Sequence, residues 1–201
     1  MIRNIIFDVG KVLVSYEPEE YMKSLGYDEK TRKRLMEAVF ENPLWDDSDQ
    51  GLGSPDEFLE AFTANAPEFA DEIYTIHTTV GNTIELFSYA LDWIKDLKAR
   101  GYKVYILSNY SENMFNQTRE KMEFLSLADG AVFSYKIKVL KPDSEIYHYL
   151  CETYALKPEE CVFLDDRPEN IEGAEKTGIR GIVFHDYEQG KNELEKLLEK
   201  G

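Results

Sequence analysis

The sequence predicts an α/β protein whose core is a doubly wound parallel sheet, with a helical segment inserted after the first strand. Short apolar runs alternate along the chain with segments of helical periodicity, which is typical of a parallel sheet covered by helices on both faces. Several of these runs end in polar residues, at the strand ends where such sheets carry their functional groups. One long stretch, from Pro18 to about Gly81, has helical periodicity only.

The first predicted strand, Arg3 to Val9, brings one carboxylate to the end of the sheet. Apart from Arg3, Asn4 and Asp8 it is apolar and largely β-branched, which is consistent with a central strand, and Gly10 follows as a turn. A buried carboxylate without a partner is energetically costly. We therefore expect Asp8 to have a cation beside it, a set of hydrogen-bond donors, or a chemical role.

The inserted segment contains one clear helix start. Ser54, Pro55 and Glu57 have the order of an N-cap, a first helical residue and a capping-box partner. Gly51 and Gly53, directly before it, predict a flexible connection. We expect the segment to consist of helices joined by short loops.

The rest of the chain continues the alternation of helices and strands. An amphipathic helix from Thr83 closes at Gly101. Further along, Pro142 is expected in the first turn of a helix, with Lys141 at its entrance. The other predicted elements are strands at 103–109, 131–134, 161–166 and 181–184, and helices at 111–122, 142–154, 168–177 and the C-terminus.

Composition and charge exclude several classes of partner. Acidic residues outnumber basic ones by 39 to 23 and give a formal charge of −16, so nucleic acids and anionic membranes are repelled. The N-terminus lacks the order of a signal peptide, and no apolar stretch is long enough for a membrane span. These features predict a cytoplasmic protein, and they say nothing about its oligomeric state.

Polar residues at four strand ends or in following loops form the candidate site: Asp8, Ser108 with Asn109, Lys141, and Asp165 with Asp166. In a doubly wound sheet these positions converge on one crevice. Mg²⁺ binds to one or two carboxylates together with water and phosphate oxygens, and a lysine adds a point charge for phosphate. The set therefore predicts a magnesium and phosphate site.

The motifs FDVGKVL, ILSN, KPDSEIY and VFLDDRPENIEGA, in this order, resemble the four motifs of the haloacid dehalogenase-like (HAD) hydrolase superfamily. The resemblance implies a Rossmann-like HAD core formed by residues 1–16 and 82–201, with residues 17–81 as a helical cap domain. The glycine in the first motif, the cap position and the segment from Gly51 to Phe58 look most like the sugar-phosphatase subgroup that includes α-glucose-1-phosphate phosphatases. The implied substrate is a small phosphorylated metabolite, expected to be a sugar phosphate.

The resemblance also implies roles for individual residues. Asp8 would be the nucleophile that attacks phosphorus and also a Mg²⁺ ligand, together with the Gly10 carbonyl and Asp166. Ser108 would bind a phosphoryl oxygen, and Lys141 would hold Asp8 and the phosphoryl group together.

Other assignments leave alternatives open. Asp166 is preferred over Asp165 as the ligand, with Asn170 orienting Asp166 or satisfying the start of its helix. Ser108 and Asn109 bind substrate or cap the following helix. Lys11 stabilises the transition state or faces solvent, and Trp45 lines the substrate pocket or packs in the cap core.

Gly10 departs from the pattern of most phosphatases in the superfamily, which carry a second Asp there as general acid and base. Without that acid, we expect the barrier to depend on how well the departing oxygen carries negative charge, so esters with acidic leaving groups should be favoured. Two other functions remain open: a 2-haloacid dehalogenase, which uses the same Asp on carbon without a metal, and a metabolite-binding protein with little turnover.

Overall fold

The computed structural model describes residues 1–199 and contains one sheet of five parallel strands. The spatial order is β3-β2-β1-β4-β5, so that β1 lies in the middle, between β2 and β4. The strands are β1 Asn4–Phe7, β2 Lys103–Ser108, β3 Gly130–Phe133, β4 Cys161–Asp165 and β5 Arg180–Val183.

A helical insertion separates β1 from β2. Its helices are α1 Pro18–Ser24, α2 Glu29–Leu35 with a π-helical continuation at Met36–Phe40, α3 Pro43–Asp49, α4 Pro55–Asn65 and α5 Ala70–Thr79, with 3₁₀ turns at Pro67–Phe69 and Val80–Thr83. The predicted capping box is present at the start of α4, where Ser54 and Glu57 satisfy each other's backbone N–H groups. The described part of the insertion contains no strand, as its periodicity predicts.

The remaining helices alternate with the strands. They are α6 Ala90–Ala99, α7 Glu112–Thr118, α8 Ser134–Ile137, α9 Ser144–Thr153, α10 Pro168–Lys176 and α11 Tyr187–Glu199, with 3₁₀ turns at Glu123–Ser126 and Pro158–Glu160. The predicted doubly wound α/β fold is confirmed, because the strands are all parallel and helices pack on both faces of the sheet.

Three apolar clusters hold these layers together. On one face of the sheet Phe7 packs against Trp93 of α6, with ring centroids 4.9 Å apart. On the other face Phe163 packs against Tyr147 of α9. The third cluster, which includes Met22 and Phe62, lies within the insertion. The insertion thus has an apolar core of its own.

Two predicted helix starts are wrong. The first helix after the insertion begins at Ala90 and not at Thr83, because Leu86 forms an antiparallel bridge with Val14 that keeps the chain extended. The helix after Pro142 begins at Ser144, because the Asp143 side chain accepts the Glu145 N–H and caps it.

Gly51 was predicted to be part of a flexible connection, but the structure holds it against the core. It has a φ of +72°, and a Cβ atom added to it would lie 2.5 Å from the backbone oxygen of Tyr135. Beside it, Gln50 donates a hydrogen bond to the Lys138 carbonyl over 2.9 Å. The glycine therefore permits a close approach that fixes the end of α3 on the core.

Among residues 1–199, no helix combines the length and the apolar character that crossing a bilayer would require.

Candidate active site

The four predicted polar strand ends converge at the carboxyl edge of the sheet. Asp8 directly follows the central strand β1, Ser108 ends β2 and Asp165 ends β4, so the two neighbouring strands flank the first carboxylate. The loop before α9 brings Lys141 to the same point. A cavity of about 420 Å³ opens there, between this edge and the insertion.

Lys141 lies at the centre of the site. Its side chain is 1% exposed, and Nζ is 2.8 Å from Asp8 Oδ1, 2.6 Å from Asp165 Oδ2 and 3.1 Å from the Leu107 carbonyl oxygen. Burial disfavours the charged ammonium, but Asp165 and Asp8 outweigh burial and raise the pKa of Lys141 above its usual value. The lysine therefore remains a cation and holds two carboxylates in place.

Asp8 is buried and faces the cavity. Burial raises the pKa of its carboxyl to about 6, with Asp165 adding to the shift while Lys141 and a hydrogen bond from Ser108 oppose it. Its backbone N–H donates to the Leu164 carbonyl over 3.0 Å, which extends the pairing of β1 with β4 by one residue. The carboxylate is thus rigidly positioned and less stabilised by the protein than an exposed one.

Asp165 and Asp166 have different environments. Asp165 is fully buried, and both of its oxygens accept hydrogen bonds: Oδ1 from the Arg167 N–H and the Asn170 amide, and Oδ2 from that amide and Lys141. Asp166 is partly exposed, lines the cavity, and has Lys11 Nζ 3.9 Å away. Burial, followed by Asp165, raises the pKa of Asp166. Asn170 therefore orients Asp165 and not Asp166, and of these two adjacent acids only Asp166 lines the cavity.

Asn109 is attached to the backbone of Lys141. Its amide donates to the Lys141 carbonyl over 3.0 Å and accepts the Lys141 N–H over 2.8 Å. The following helix is capped instead by Ser111, whose hydroxyl accepts the Met114 N–H. Ser108 and Asn109 are therefore not its caps; both line the cavity, and Asn109 positions the lysine.

Gly10 and Lys11 form the turn after Asp8. A Cβ atom added to Gly10 would have no neighbour within 4 Å, so the position has room for a side chain. Lys11 adopts a left-handed φ of 59°, and its side chain is 58% exposed at the rim beside Asp166. Both residues line the cavity.

The insertion supplies the opposite wall through α3. Trp45 both lines the cavity and packs on Phe40, with ring centroids 4.9 Å apart, so its two predicted environments occur together. Asp46 and Asp49 line the cavity from the same helix. Sequence reasoning missed both carboxylates, although their spacing of three on a helix next to Trp45 puts them on one face.

The site has the donor set that a divalent cation requires. Asp8, Asp165 and Asp166 each offer a carboxylate oxygen, and the three oxygens lie within 4.8 Å of one another. Because Asp165 is fully engaged with the protein, Asp8 and Asp166 remain for a cation, with the Gly10 carbonyl beside them in the cavity lining. The raised pKa values of Asp8 and Asp166 mean that both carboxylates gain from added positive charge. The residues therefore fit Mg²⁺.

Comparisons with known proteins agree with this geometry. A family model described as haloacid dehalogenase-like hydrolase matches residues 2–178. A sesquiterpene phosphatase of Aspergillus oryzae is 24% identical over 96% of this chain and 95% of its own length. A D-ribitol-5-phosphate phosphatase of Bacteroides thetaiotaomicron is 24% identical over 98% of this chain and 99% of its own.

A solved structure has the same fold. It is a HAD family enzyme of Bacteroides thetaiotaomicron in complex with magnesium and inorganic phosphate, with a TM-score of 0.71 and 21% identity over 93% of this chain and 98% of that one. Some other relatives are longer proteins, of which this chain matches less than half.

The buried lysine leads to a prediction about stability. Lys141→Met, measured by urea unfolding in the presence of a chelator, should lower the free energy of unfolding by about 3–5 kcal/mol, because two buried carboxylates lose their cation. Lys11→Met, at the exposed rim, should change it by less than about 0.5 kcal/mol. Adding Asp165→Asn to Lys141→Met should recover part of the loss. Equal effects of the two lysine substitutions would contradict the central role of Lys141.

Proposed function

The chain belongs to the haloacid dehalogenase-like hydrolase family, and from that premise we propose that it is a Mg²⁺-dependent phosphatase acting on a small phosphorylated metabolite. The observation that carries the proposal is the pairing of Asp8 with Lys141 at the floor of a cavity that Asp166 also lines. An anionic nucleophile, a fixed cation and a second carboxylate are the groups that phosphoryl transfer through an enzyme carboxylate requires.

In the proposed reaction, a carboxylate oxygen of Asp8 attacks phosphorus and forms an aspartyl phosphate. Lys141 neutralises charge on the phosphoryl oxygens, and the Ser108 hydroxyl donates a hydrogen bond to one of them. Asn109 acts through its two hydrogen bonds with the Lys141 backbone, which fix the point from which the lysine side chain extends. Water then attacks the same phosphorus and releases phosphate from Asp8.

We propose Asp8, Asp166 and the Gly10 carbonyl as the Mg²⁺ ligands from the protein. When bound, the cation supplies charge neutralisation that allows an anionic phosphate to approach two carboxylates. Asp165 has a supporting role, because its oxygens already hold Lys141, Asn170 and the Arg167 N–H. In this proposal two adjacent acids have different roles: Asp166 binds the metal, and Asp165 holds Lys141 in place.

The proposed substrate is a sugar phosphate. The lining of the cavity combines aromatic side chains of Tyr16, Phe40 and Trp45 with the Asp46 carboxylate. Aromatic faces pack on the apolar face of a sugar ring, while carboxylates accept hydrogen bonds from its hydroxyl groups. Lys11 at the rim attracts the phosphate despite the negative charge of the whole chain.

We further propose that residues 17–81 form the cap and residues 1–16 and 82–201 the core. The support is the separate apolar cluster of the insertion and its position over the cavity. In this arrangement the cap selects the organic part of the substrate and excludes water from the reacting groups.

The two alternatives require less of the site. A 2-haloacid dehalogenase would use Asp8 but would leave Asp166 without a role, and a binding protein would need no nucleophile. The grouping of Asp166 with Asp8 in the cavity, with carboxylate oxygens within 4.8 Å of each other, favours a cation-dependent reaction of Asp8 over both.

The nucleophile is tested by Asp8→Asn. The amide cannot form an acyl phosphate, so hydrolysis of any phosphate substrate should fall on the order of 10⁴-fold or more. Circular dichroism should remain that of the wild type, and Asp92→Asn, on an exposed carboxylate of α6, is the matched control with normal activity. Activity above a few per cent in Asp8→Asn would mean that another group attacks phosphorus.

The metal is tested by chelation and by one substitution. EDTA should abolish hydrolysis and excess Mg²⁺ should restore it, because two carboxylates face the phosphate site. Asp166→Asn should raise the Mg²⁺ concentration for half-maximal activity by at least about tenfold. Asp46→Asn removes a carboxylate that lines the same cavity and is not one of the clustered acids, so it should leave that concentration unchanged. Phosphate hydrolysis under complete chelation would remove this proposal, and chelator-resistant release of halide would support the dehalogenase.

The substrate class is tested by a screen of phosphate esters with Mg²⁺. The kcat/KM for sugar phosphates should exceed that for alkyl phosphates of equal charge by at least about tenfold. The reason is that the protein groups that accept hydrogen bonds from sugar hydroxyls have no partner when an alkyl phosphate is bound. Trp45→Ala should raise KM for the preferred sugar phosphate. A preference for apolar esters would contradict the sugar assignment and leave the phosphatase in place, and no turnover of any ester would favour the binding protein.

A further inference from the structure

The proposed reaction lacks a proton donor at the usual place. The bond between phosphorus and the ester oxygen breaks in the first step, and the departing oxygen needs a proton unless it is a weak base. Gly10 has no side chain to supply one. The structure brings a different carboxyl group to the cavity.

That group is Asp49, the last residue of α3, and its backbone is held firmly on the core. The Ser134 hydroxyl donates to the Asp49 carbonyl over 2.5 Å, and Gln50 donates to the Lys138 carbonyl over 2.9 Å. Gly51 then packs directly on Tyr135. Three successive residues of the insertion thus dock on α8 and on Lys138, the residue that follows it. The Asp49 side chain lines the cavity that contains Asp8.

The carboxyl of Asp49 has no hydrogen bond or ion pair with any residue from 1 to 199 in this structure. The groups that act on it are Asp46 from its own helix, Asp8, Lys141 and Arg167 from the core, and the hydroxyl groups of Tyr16 and Tyr110. Burial raises the pKa of Asp49 to about 8, with Asp46 and Asp8 adding to the shift and the two cations opposing it. An acid in this range is matched to a general acid and base near neutral pH.

The other proton carriers in the cavity are less suited. Burial raises the pKa of Tyr16 and of Tyr110, and the Tyr110 hydroxyl is paired with Thr118 over 2.8 Å. Lys141 is held between two carboxylates, and Lys11 is exposed at the rim. Asp49 combines a free carboxyl, a fixed backbone and a position in the lining of the cavity that also contains Asp8.

We propose that Asp49, supplied by the insertion, is the general acid and base of the proposed phosphatase in place of the missing side chain at Gly10. The inference rests on the proposed function. It changes the expectation drawn from Gly10 alone, because an acid on α3 removes the strong preference for acidic leaving groups.

The proton balance covers both steps. As Asp8 forms its bond to phosphorus and the bond to the ester oxygen breaks, Asp49 gives its proton to that oxygen, which leaves as an alcohol. Asp49 is then a carboxylate, and it takes a proton from the water that attacks the aspartyl phosphate. The bond between phosphorus and Asp8 breaks, inorganic phosphate leaves, and both side chains return to their starting states.

The test compares leaving groups in the full-length protein with Mg²⁺. The substrates are the preferred sugar phosphate, a primary alkyl phosphate and p-nitrophenyl phosphate. The last of these releases p-nitrophenolate, a weak base that needs no proton in order to leave. Asp49→Asn should lower kcat on the alkyl ester by about 10²–10⁴-fold and on the aryl ester by less than about tenfold. Gly10→Asp in the Asp49→Asn background should restore at least about tenfold on the alkyl ester, since the Gly10 position has room for a side chain.

Asp46→Asn is the matched control, because it removes a carboxylate from the same helix and the same cavity. It should change KM for the sugar phosphate and leave the dependence on the leaving group as in the wild type. Gly51→Ala displaces the docked segment, and it should reproduce the leaving-group dependence of Asp49→Asn. Circular dichroism shows whether the Gly51→Ala protein folds. If it does not fold, Asp49→Asn alone decides the test.

The outcomes separate the two proposals. Equal loss on all three esters in Asp49→Asn, a change in KM alone, or no change would overturn the role of Asp49 while leaving a working phosphatase. Absence of turnover on every ester by the wild type would overturn the phosphatase and the acid together.

Discussion

The buried contact of Lys141 with Asp8 and Asp165 is the interaction on which the rest of the site depends. Two carboxylates at adjacent strand ends would repel each other and would be costly to bury. One ammonium at 2.8 and 2.6 Å makes both tolerable, and it also donates a hydrogen bond to the Leu107 carbonyl. The result is a carboxylate fixed in direction next to a buried cation, which is the arrangement that the proposed attack of Asp8 on phosphorus requires.

The sheet explains why distant residues meet there. Because β1 lies between β2 and β4, their carboxyl ends bring position 8 next to positions 108 and 165 without any long loop. The lysine comes from a loop, and its backbone is held by two hydrogen bonds with Asn109, which donates one and accepts the other. The sheet topology thus determines where the two carboxylates lie, and the Asn109 side chain determines where the lysine lies.

Sequence reasoning recovered the parts that follow from periodicity and strand order. Apolar runs predicted the parallel strands, and their polar ends predicted which residues would converge. It missed what depends on contacts between distant segments. The extended stretch near Leu86 depends on its bridge to Val14, and the role of Gly51 depends on Tyr135, more than eighty positions away. Asp49 was missed for the same reason, since only the docking of α3 on the core turns an ordinary helical carboxylate into a cavity residue.

A proton donor on the insertion differs physically from one at residue 10. A side chain at residue 10 would be present at all times, whereas the proposed acid Asp49 would reach a leaving oxygen only with α3 docked on α8, as its contacts with Ser134 and Lys138 hold it. The same docking brings aromatic side chains of the insertion into the cavity lining and holds Asp49 there, where burial raises the pKa of its carboxyl to about 8. Exclusion of water and supply of the acid would then be one event, so a substrate that does not let the insertion close would lose the acid as well as the binding contacts. Specificity in such a site would appear in kcat more than in KM, because the interaction lost acts mainly on the transition state.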